Sequence, residues 1–391
     1  MRMRMKIAIV ETILMLGCAG RGVAQERGFN LIVVGDTQPQ TEEQIERLEH
    51  DIVSLIGAVV EEYRSESNLP IAILLTGDVV WDTMEFLPRV KSLFEALGVP
   101  VYTVIGNHDH NRAVEGDEPL AQAPYEATFG ERYYMFDLGD TRFFALDNIV
   151  YNSYDDYRIA IDRKQFKWMR RLVHKTPFTK RIAVAMHAPL VDFRSGEPLP
   201  YAKRIMRLFR NRTVHFITGH RHRHATADIT PKAIEHSVAQ VNGNLWFAPL
   251  CADGMPQGVF CIEERDWEWK WHHRILGEDA RHRFVVWQEG RVENNEEYIV
   301  VKVLGWDEQW IVEWVENGEN RGAMERVEMV DPDYLYYVNN IADYDDVIMD
   351  RLRRSGLPAK HYFRCRRTEQ NSDITIVATD RFGRTFSVDV E

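Results

Sequence analysis

Five short apolar runs between residues 29 and 218 limit the folds available to this chain. They have the length of β-strands, are rich in β-branched residues, and are separated by stretches with mixed polar and apolar character. The runs occupy 29–34, 71–76, 101–105, 182–186 and 214–218. Alternation of strand and helix patterns is typical of a layered α/β fold, in which helices cover β-sheets.

The stretches between the runs have the periodicity of surface helices. Thr41 is placed to cap the first of them, with Gln44 three residues later as its capping-box partner. Helices are predicted to follow Thr41 as far as residue 59, and to span 88–97 and 162–174.

The pattern changes after residue 281. Segments that alternate like half-buried strands lie at 298–304, 309–315 and 374–378, and a single short helix is predicted at 345–354. We therefore predict two domains, an α/β domain over 25–281 and a smaller, mainly β domain over 282–391.

Residues 1–24 have the layout of a secretory signal peptide, with a basic start, an apolar stretch and small residues before a cleavage point after Ala24. A lipoprotein signal, with a lipid anchor on Cys18, is an alternative, and a buried first strand at 6–10 is another. The signal peptide predicts a secreted, periplasmic or cell-surface protein.

The composition and charge of the chain argue against several classes of function. The chain has 48 Lys and Arg against 60 Asp and Glu, a formal net charge of −12, which argues against binding long nucleic acids or anionic membranes. We find no apolar run long enough for a transmembrane segment in the mature chain. Four cysteines are too few for a disulfide scaffold, although a bridge between Cys251 and Cys261 stays open. The sequence does not indicate an oligomeric state.

Each of the five apolar runs is followed by polar residues that can bind a metal. They are Asp36 and Gln38; Asp78; Asn107, His108 and Asp109; His187; and His220 with His222. Loops beyond the carboxyl ends of strands bring distant residues together in α/β folds. Singly, each group reads as a turn or a core histidine, except that His220 and His222 are expected on one face of an extended segment. Together they predict one metal site.

This set, written GD, GD, GNHD, H and GHRH in chain order, resembles the calcineurin-like metallophosphoesterases over roughly 29–266. The segments 246–250 and 253–258 are similar to a bacterial branch with an extra C-terminal domain. The resemblance implies a two-sheet β-sandwich flanked by helices, with a two-metal centre at the strand ends.

The resemblance also implies a ligand set. Asp78 would bridge two divalent ions drawn from Mn, Fe, Zn, Co or Ni. One ion would be completed by Asp36, Gln38 and His222, and the other by Asn107, His187 and His220. Gln38 stands where the family usually has histidine, so it either ligates through its carbonyl oxygen or only hydrogen-bonds a bound water. Trp81 stands where purple acid phosphatases, a sister group, carry a tyrosine ligand.

Catalytic and substrate roles are assigned from positions next to the motifs, and His108 directly follows the predicted ligand Asn107. His108 is expected to be the general acid, oriented by Asp109, with phosphate binding as its alternative. Substrate contacts are expected from Asn107, Arg112 and His224.

Two more features of the sequence have two readings each. Asp82 either orients the centre or caps a helix. The alternating Trp267, Trp269 and Trp271 form either a packing stripe between domains or a sugar-stacking platform.

The expected function is hydrolysis of a small phosphate monoester or diester through a dinuclear centre and a bridging hydroxide. A nuclease with the same centre is one alternative. A non-catalytic cell-surface protein that binds a glycan or a partner is the other.

Overall fold

The computed structural model of this protein describes residues 27–192 and 195–390. The predicted signal peptide and the lipid site at Cys18 lie outside the described residues, so both stay predictions. The described chain forms a two-sheet sandwich with helices, followed by a smaller, mainly β part, as the sequence predicted. None of the helices in these residues combines the length and the apolar character that crossing a lipid bilayer requires.

The strands of the sandwich form two main sheets. In chain order they are β1 (Gly28–Val34), β2 (Ile71–Leu75), β3 (Val101–Thr103), β4 (Tyr134–Leu138), β5 (Thr141–Ala145), β6 (Ile149–Ser153), β7 (Asp156–Ile159), β8 (Arg181–Ala185), β9 (Val214–Thr218), β10 (Ala225–Thr230), β11 (Ala233–Ser237), β12 (Gly258–Arg265) and β13 (Glu268–Ile275). One sheet has the order β13-β12-β1-β2-β3, and the other has the order β10-β11-β9-β8-β5-β4. The strands that precede the polar motifs pair in parallel: β1 with β2, β2 with β3, and β8 with β9.

Helices cover the outer faces of the sheets. They are α1 (Glu42–Arg47), α2 (Ser54–Glu66), α3 (Leu87–Glu95), α4 (Glu118–Phe129), α5 (Arg163–Lys175) and α6 (Ala202–Phe209). A π-helical turn over Leu48–Val53 joins α1 to α2, so one long helix follows the first strand. Thr41 caps its start as predicted, because the backbone N–H of Gln44 donates to Thr41 Oγ1 at 3.2 Å. The capping box itself is not completed, since Gln44 Oε1 accepts from the backbone N–H of Gln40 at 2.8 Å.

The period of two along each strand divides the core into layers. In β1, Leu31 and Val33 point between the sheets and pack in one cluster with Phe143 and Ile217 of the second sheet. Ile32 belongs to the cluster beneath α2 and α3 instead. The strands are therefore apolar on both faces, which explains their unbroken apolar runs in the sequence.

The C-terminal part is a second, smaller sandwich. Its elements are β14 (Phe284–Trp287), β15 (Ile299–Val303), β16 (Ile311–Glu316), β17 (Glu319–Ala323), β18 (Glu325–Met329), α7 (Pro332–Asn340), α8 (Asp346–Ser355), β19 (Ala359–Cys365), β20 (Ile374–Thr379) and β21 (Thr385–Val390). The sheets β14-β15-β19-β18 and β17-β16-β20-β21 enclose one apolar cluster. The prediction of a single helix here is wrong, because α7 precedes α8.

The domain boundary placed at 281 and 282 stays a prediction. The strands on either side of it belong to different sheets, since β13 pairs with β12 and β14 pairs with β15. The side chain of Trp271 on β13 crosses this boundary and contacts the ring of Phe382 at 4.7 Å. Trp269 stacks on His215 at 4.2 Å. Both tryptophans are buried and therefore pack in the interior.

A buried polar network joins the two parts. Lys302 of β15 donates through Nζ to Asp331 Oδ2 at 2.9 Å and to the carbonyl oxygen of Gly254 at 2.7 Å. Tyr362 of β19 donates to Asp331 Oδ2 at 2.8 Å, and its hydroxyl lies 3.1 Å from the carbonyl oxygen of Asp253. Gly254 has a φ of +83°, and a methyl group there would lie 2.3 Å from the Tyr362 hydroxyl. We call Lys302, Asp331, Tyr362, Asp253 and Gly254 the domain junction.

The cysteines of the described chain are not cross-linked. Cys251, Cys261 and Cys365 are buried free thiols, so the bridge between Cys251 and Cys261 that the sequence left open is not formed.

Candidate metal centre

The loops after β1, β2, β3, β8 and β9 converge at one end of the sandwich. His187, directly after β8, donates through Nδ1 to the carbonyl oxygen of Thr76 at the end of β2, at a distance of 2.8 Å. His220, after β9, donates its backbone N–H to Asp36 Oδ2 after β1, at 2.9 Å. These bonds tie the two sheets together at the point where the sequence placed its polar motifs.

Two of the glycines before the motifs are required by close approach. A methyl group on Gly106 would lie 2.1 Å from Asp78 Oδ1, and one on Gly219 would lie 2.8 Å from Asp36 Oδ1. Both distances are shorter than any side chain tolerates, so only glycine lets these loops pack against the carboxylates.

Four potential ligand atoms lie close together around the Nε2 atom of His187. Nε2 of His187 lies 3.1 Å from Asn107 Oδ1, 3.1 Å from His220 Nδ1 and 3.3 Å from Asp78 Oδ1. Because Nδ1 of His187 already donates to a carbonyl, its ring orientation is fixed. A single proton on Nε2 cannot serve three neighbours at once, whereas a cation can accept lone pairs from all of them.

A second group of predicted ligands borders the first but is more open. His222 Nε2 lies 3.7 Å from Asp36 Oδ2, and Gln38 donates through Nε2 to Asp78 Oδ2 at 2.8 Å. Asp36 Oδ1 and Gln38 Oε1 are buried without a hydrogen-bond partner. Asp78 therefore faces both groups, with Oδ1 toward His187 and Oδ2 toward Gln38.

The pKa shifts at the centre reflect burial of its carboxylates and their interactions with the histidines. Burial raises the pKa of Asp36 to about 8, with His187 acting against the rise and Asp78 adding to it. Burial also opposes the charge on Asp78, but His187 and His108 outweigh it and lower the pKa of Asp78. For His187, Asp78 outweighs burial and raises the pKa to about 9. Burial lowers the pKa of His220 below the ordinary histidine value.

His108 is oriented by Asp82, and the prediction that Asp109 does this is wrong. His108 Nδ1 lies 2.9 Å from Asp82 Oδ1. Asp109 accepts instead from the backbone N–H groups of Val79 at 2.8 Å and Gly106 at 2.8 Å. Its carboxylate thus braces the two loops that carry Asp78 and Asn107. Of the two readings of Asp82, the structure supports the orienting one.

The predicted substrate residues lie in different places. The guanidinium of Arg112 sits at the rim, 3.4 Å from Asp82 Oδ2 and 4.5 Å from the ring centre of Tyr154. His224 packs inside, with its ring 5.4 Å from Phe260 and 5.5 Å from His273, so the prediction that it lines the pocket is not supported. Asn107 remains at the centre.

The backbone explains why His224 was misplaced. His220 and His222 have φ values of 67° and 54°, so the segment is a tight turn and not the extended segment that the sequence suggested. Alternation along an extended chain therefore does not hold here, and His224 leaves the line of the other two histidines.

Two aromatic residues, Trp81 and Tyr154, pack against His108, a role that the sequence analysis did not give them. Trp81 stacks on the His108 ring with 4.1 Å between centroids, and Tyr154 meets it edge-on at 6.0 Å. The guanidinium of Arg351, on α8, lies 5.3 Å from the Trp81 ring centre. No local sequence signal points to Tyr154 or Arg351, because only the three-dimensional arrangement brings them to the site.

The residues present fit a metal. Asp78, His187 and His220 offer ligand atoms that all lie within 4.8 Å of one another. Carboxylate, amide and imidazole donors suit divalent transition ions. The unpartnered oxygens of Asp36 and Gln38 need positive charge or donors, which a cation would supply.

Several solved structures are similar to this chain. A dimetal phosphatase from Danio rerio is 14% identical, with a TM-score of 0.44, and the match covers 63% of this chain and 98% of that one. A purple acid phosphatase from yellow lupin (Lupinus luteus) seeds is 12% identical, with a TM-score of 0.47, covering 65% and 52%. A 5'-nucleotidase from Candida albicans is 12% identical, with a TM-score of 0.43, covering 66% and 54%. No curated protein matches the chain.

Two family models match the chain in succession. The model described as calcineurin-like phosphoesterase matches residues 29–224, about half of the chain, and includes all of the predicted metal ligands. The model described as the C terminal of calcineurin-like phosphoesterase matches residues 235–386. The chain therefore belongs to the calcineurin-like phosphoesterase family and carries the family's C-terminal domain.

Proposed function

We propose that the protein is a metal-dependent hydrolase of small phosphate monoesters or diesters. The observation that carries the proposal is the convergence of Asn107, Asp78 and His220 on Nε2 of His187, at distances of 3.1 to 3.3 Å. Family membership supports phosphoester chemistry at this point.

Two divalent ions are the cofactor that the proposal requires, drawn from Mn, Fe, Zn, Co or Ni. The residues that would hold them are Asp78 between the ions, Asp36, Gln38 and His222 on one side, and Asn107, His187 and His220 on the other. Bound cations supply the positive charge that neutralises phosphate oxygens and acidifies water. The unpartnered Oε1 of Gln38 favours direct ligation through the carbonyl oxygen, a harder donor than imidazole.

The remaining roles belong to the side chains next to this centre. Asp82 holds Nδ1 of His108, so Nε2 is the edge that can give a proton to the leaving oxygen. Asn107 and Arg112 are proposed to bind phosphate oxygens, with Arg112 approaching from the exposed rim. Asp109 keeps the two ligand loops in register through their backbone N–H groups.

The first experiment measures metal content and hydrolysis together. We expect more than one divalent ion per chain after loading, and turnover of a chromogenic monoester or diester. His108→Ala should lower turnover by about 100- to 10,000-fold for poor leaving groups and by less for good ones. His174→Ala, an exposed histidine on α5, is the matched control and should change neither. An equal loss for all leaving groups would show that His108 is not the acid.

The alternatives are separated by the same preparation. Hydrolysis of single-stranded DNA in preference to small esters, with added Mn, would favour the nuclease, although the net charge of −12 argues against it. Less than one ion per chain with no hydrolysis would favour the non-catalytic protein. Export through residues 1–24 is also part of the proposal, and N-terminal sequencing of the mature protein tests it.

A further inference from the structure

An arginine from the C-terminal domain reaches the rim of the candidate centre. Arg351 lies on α8, and its guanidinium carbon is 5.3 Å from the centre of the Trp81 ring. Trp81 in turn stacks on His108 at 4.1 Å with an interplanar angle of 22°. A direct line of contacts therefore runs from the C-terminal domain to the residue proposed as the general acid.

The positive charge of Arg351 is not neutralised by an ion pair with another described residue. Within 27–192 and 195–390, its side chain forms no ion pair, and its contact is the Trp81 ring. On the same helix, Arg354 pairs with Asp350 at 2.5 Å. An exposed guanidinium held over an indole ring stays free to bind an anion from solvent.

Arg351 does not stand alone at this rim. Arg112 lies 4.5 Å from the ring of Tyr154. Burial and Asp82 raise the pKa of Tyr154, and the cations Arg112 and Arg351 both act against that rise, so both guanidinium groups influence the same tyrosine. Asp82 neutralises Arg112 in part, at 3.4 Å, and leaves Arg351 as the more available charge.

The position of Arg351 suggests what it binds. The scissile phosphate of the proposed reaction would lie at the metal ligands, beside His108. Arg351 reaches this region at the Trp81 ring, one residue removed from His108, and its guanidinium can there bind a second anionic group of the same substrate in a bidentate manner.

We propose that Arg351 is a specificity-determining residue, and that the preferred substrates are phosphate esters carrying a second anionic group. This inference rests on the proposed phosphoesterase function and adds its substrate class. It also gives the C-terminal domain a role in substrate choice, since α8 supplies the residue.

The test compares substrates that differ in one anionic group. Glucose 1,6-bisphosphate is compared with glucose 6-phosphate, and 2-phosphoglycerate with glycerol 2-phosphate, so that the phosphate and carboxylate arms are distinguished. In the wild-type protein, kcat/KM should be higher for the member with the extra anion in at least one pair. Arg351→Gln should lower that preference by about 10- to 100-fold, mainly through KM, because a charged hydrogen-bonded contact is lost.

Two further variants make the result decisive. Arg351→Glu should reverse the preference, because the carboxylate repels the second anion. Arg354→Gln, on the same helix, should leave the preference unchanged. Hydrolysis with the same preference in Arg351→Gln as in the wild type would overturn this inference alone. Failure of the wild type to hydrolyse any ester would overturn the proposed function, and the inference with it.

Discussion

The candidate metal centre and the domain junction both bury charged groups, yet they satisfy them differently. At the junction, Lys302 and Asp331 are 1% and 0% exposed, and the ammonium and carboxylate pair at 2.9 Å with further donors and acceptors around them. At the centre, Asp36 Oδ1 and Gln38 Oε1 are buried without a hydrogen-bond partner, although His187 Nδ1 lies 3.6 Å from Asp36 Oδ1.

This difference distinguishes buried charges that stabilise the fold from buried groups that are arranged to bind a ligand. A buried charge is tolerated when hydrogen bonds and an opposite charge compensate it, as they do at the junction. The centre instead keeps more negative and lone-pair groups together than its own residues can compensate. Buried polar atoms that lack hydrogen-bond partners are expected where a bound ligand supplies the missing interactions. Buried polar atoms with all of their partners are expected where the residues only stabilise the fold.

Asp36→Asn gives the largest expected effect. Loss of this carboxylate should lower hydrolysis by at least about 1,000-fold, because the metals lose an anionic ligand. The same change should leave the unfolding free energy of the metal-free protein unchanged or higher, since it removes one of two neighbouring buried carboxylates. Metal titration, turnover and urea unfolding of chelator-treated protein measure the three quantities.

A fall in the stability of the metal-free Asp36→Asn protein would break the comparison, because it would show that Asp36 serves the fold as Lys302 does. Asp51→Asn, on the exposed surface of the first long helix, is the control and should change neither activity nor stability.

Lys302→Met should show the opposite behaviour. Removing the ammonium leaves the Asp331 carboxylate buried and unpaired, which should cost about 3 to 5 kcal/mol of unfolding free energy. The double variant Lys302→Met with Asp331→Asn should recover most of that loss, because the charge is gone while an oxygen remains to accept from Tyr334 N–H at the start of α7. Urea unfolding of each variant measures the difference.

Lys232→Met, an exposed change in the turn before β11, should cost less than about 0.5 kcal/mol. Equal losses in the single and double variants would show that lost packing, and not the unpaired carboxylate, causes the effect.

The contrast also explains what the sequence could predict. The convergence of the candidate metal ligands was predictable because Asp36, Asp78 and His187 each follow a strand by two or three residues, and parallel strands bring their ends to one edge. Local order along the chain is enough for such a site. The choice between Asp82 and Asp109 as the partner of His108 was not local, since both lie close to a motif and only the loop geometry decides.

Long-range contacts account for the other differences. Helix α7 has a capping Asp331 and Pro332, yet its Tyr and Val residues favour strands. Its fold depends on distant partners, because the Tyr334 hydroxyl donates to Leu352 of α8 and accepts from Asn244. Arg351 could not be found from the sequence for the same reason, since docking of the C-terminal domain places it on Trp81.

Glu316 is a third buried carboxylate, and it can be compared with Asp331 at the domain junction and Asp36 at the centre. It accepts from the backbone N–H of Thr368 at 2.8 Å and from the hydroxyl of Ser372 at 2.6 Å, among other donors. Burial opposes its charge, but these hydroxyl and backbone donors outweigh burial and lower the pKa of Glu316 to about 2. Few hydrogen bonds are donated to Asp36, and burial raises its pKa to about 8.

Glu316→Gln should therefore destabilise the protein in a pH-dependent way. Because the pKa in the folded state is about 2 and the ordinary value is 4.5, the stabilisation by the carboxylate is complete above pH 4.5 and is lost as the pH falls toward 2. At neutral pH we expect a loss of about 1 to 3 kcal/mol, since an amide cannot accept every bond. Thermal unfolding from pH 7 down to pH 2.5 measures this, with the exposed Glu328→Gln as control. A difference that stays constant over this range would mean that shape, and not the completed set of donors, makes Glu316 stabilising.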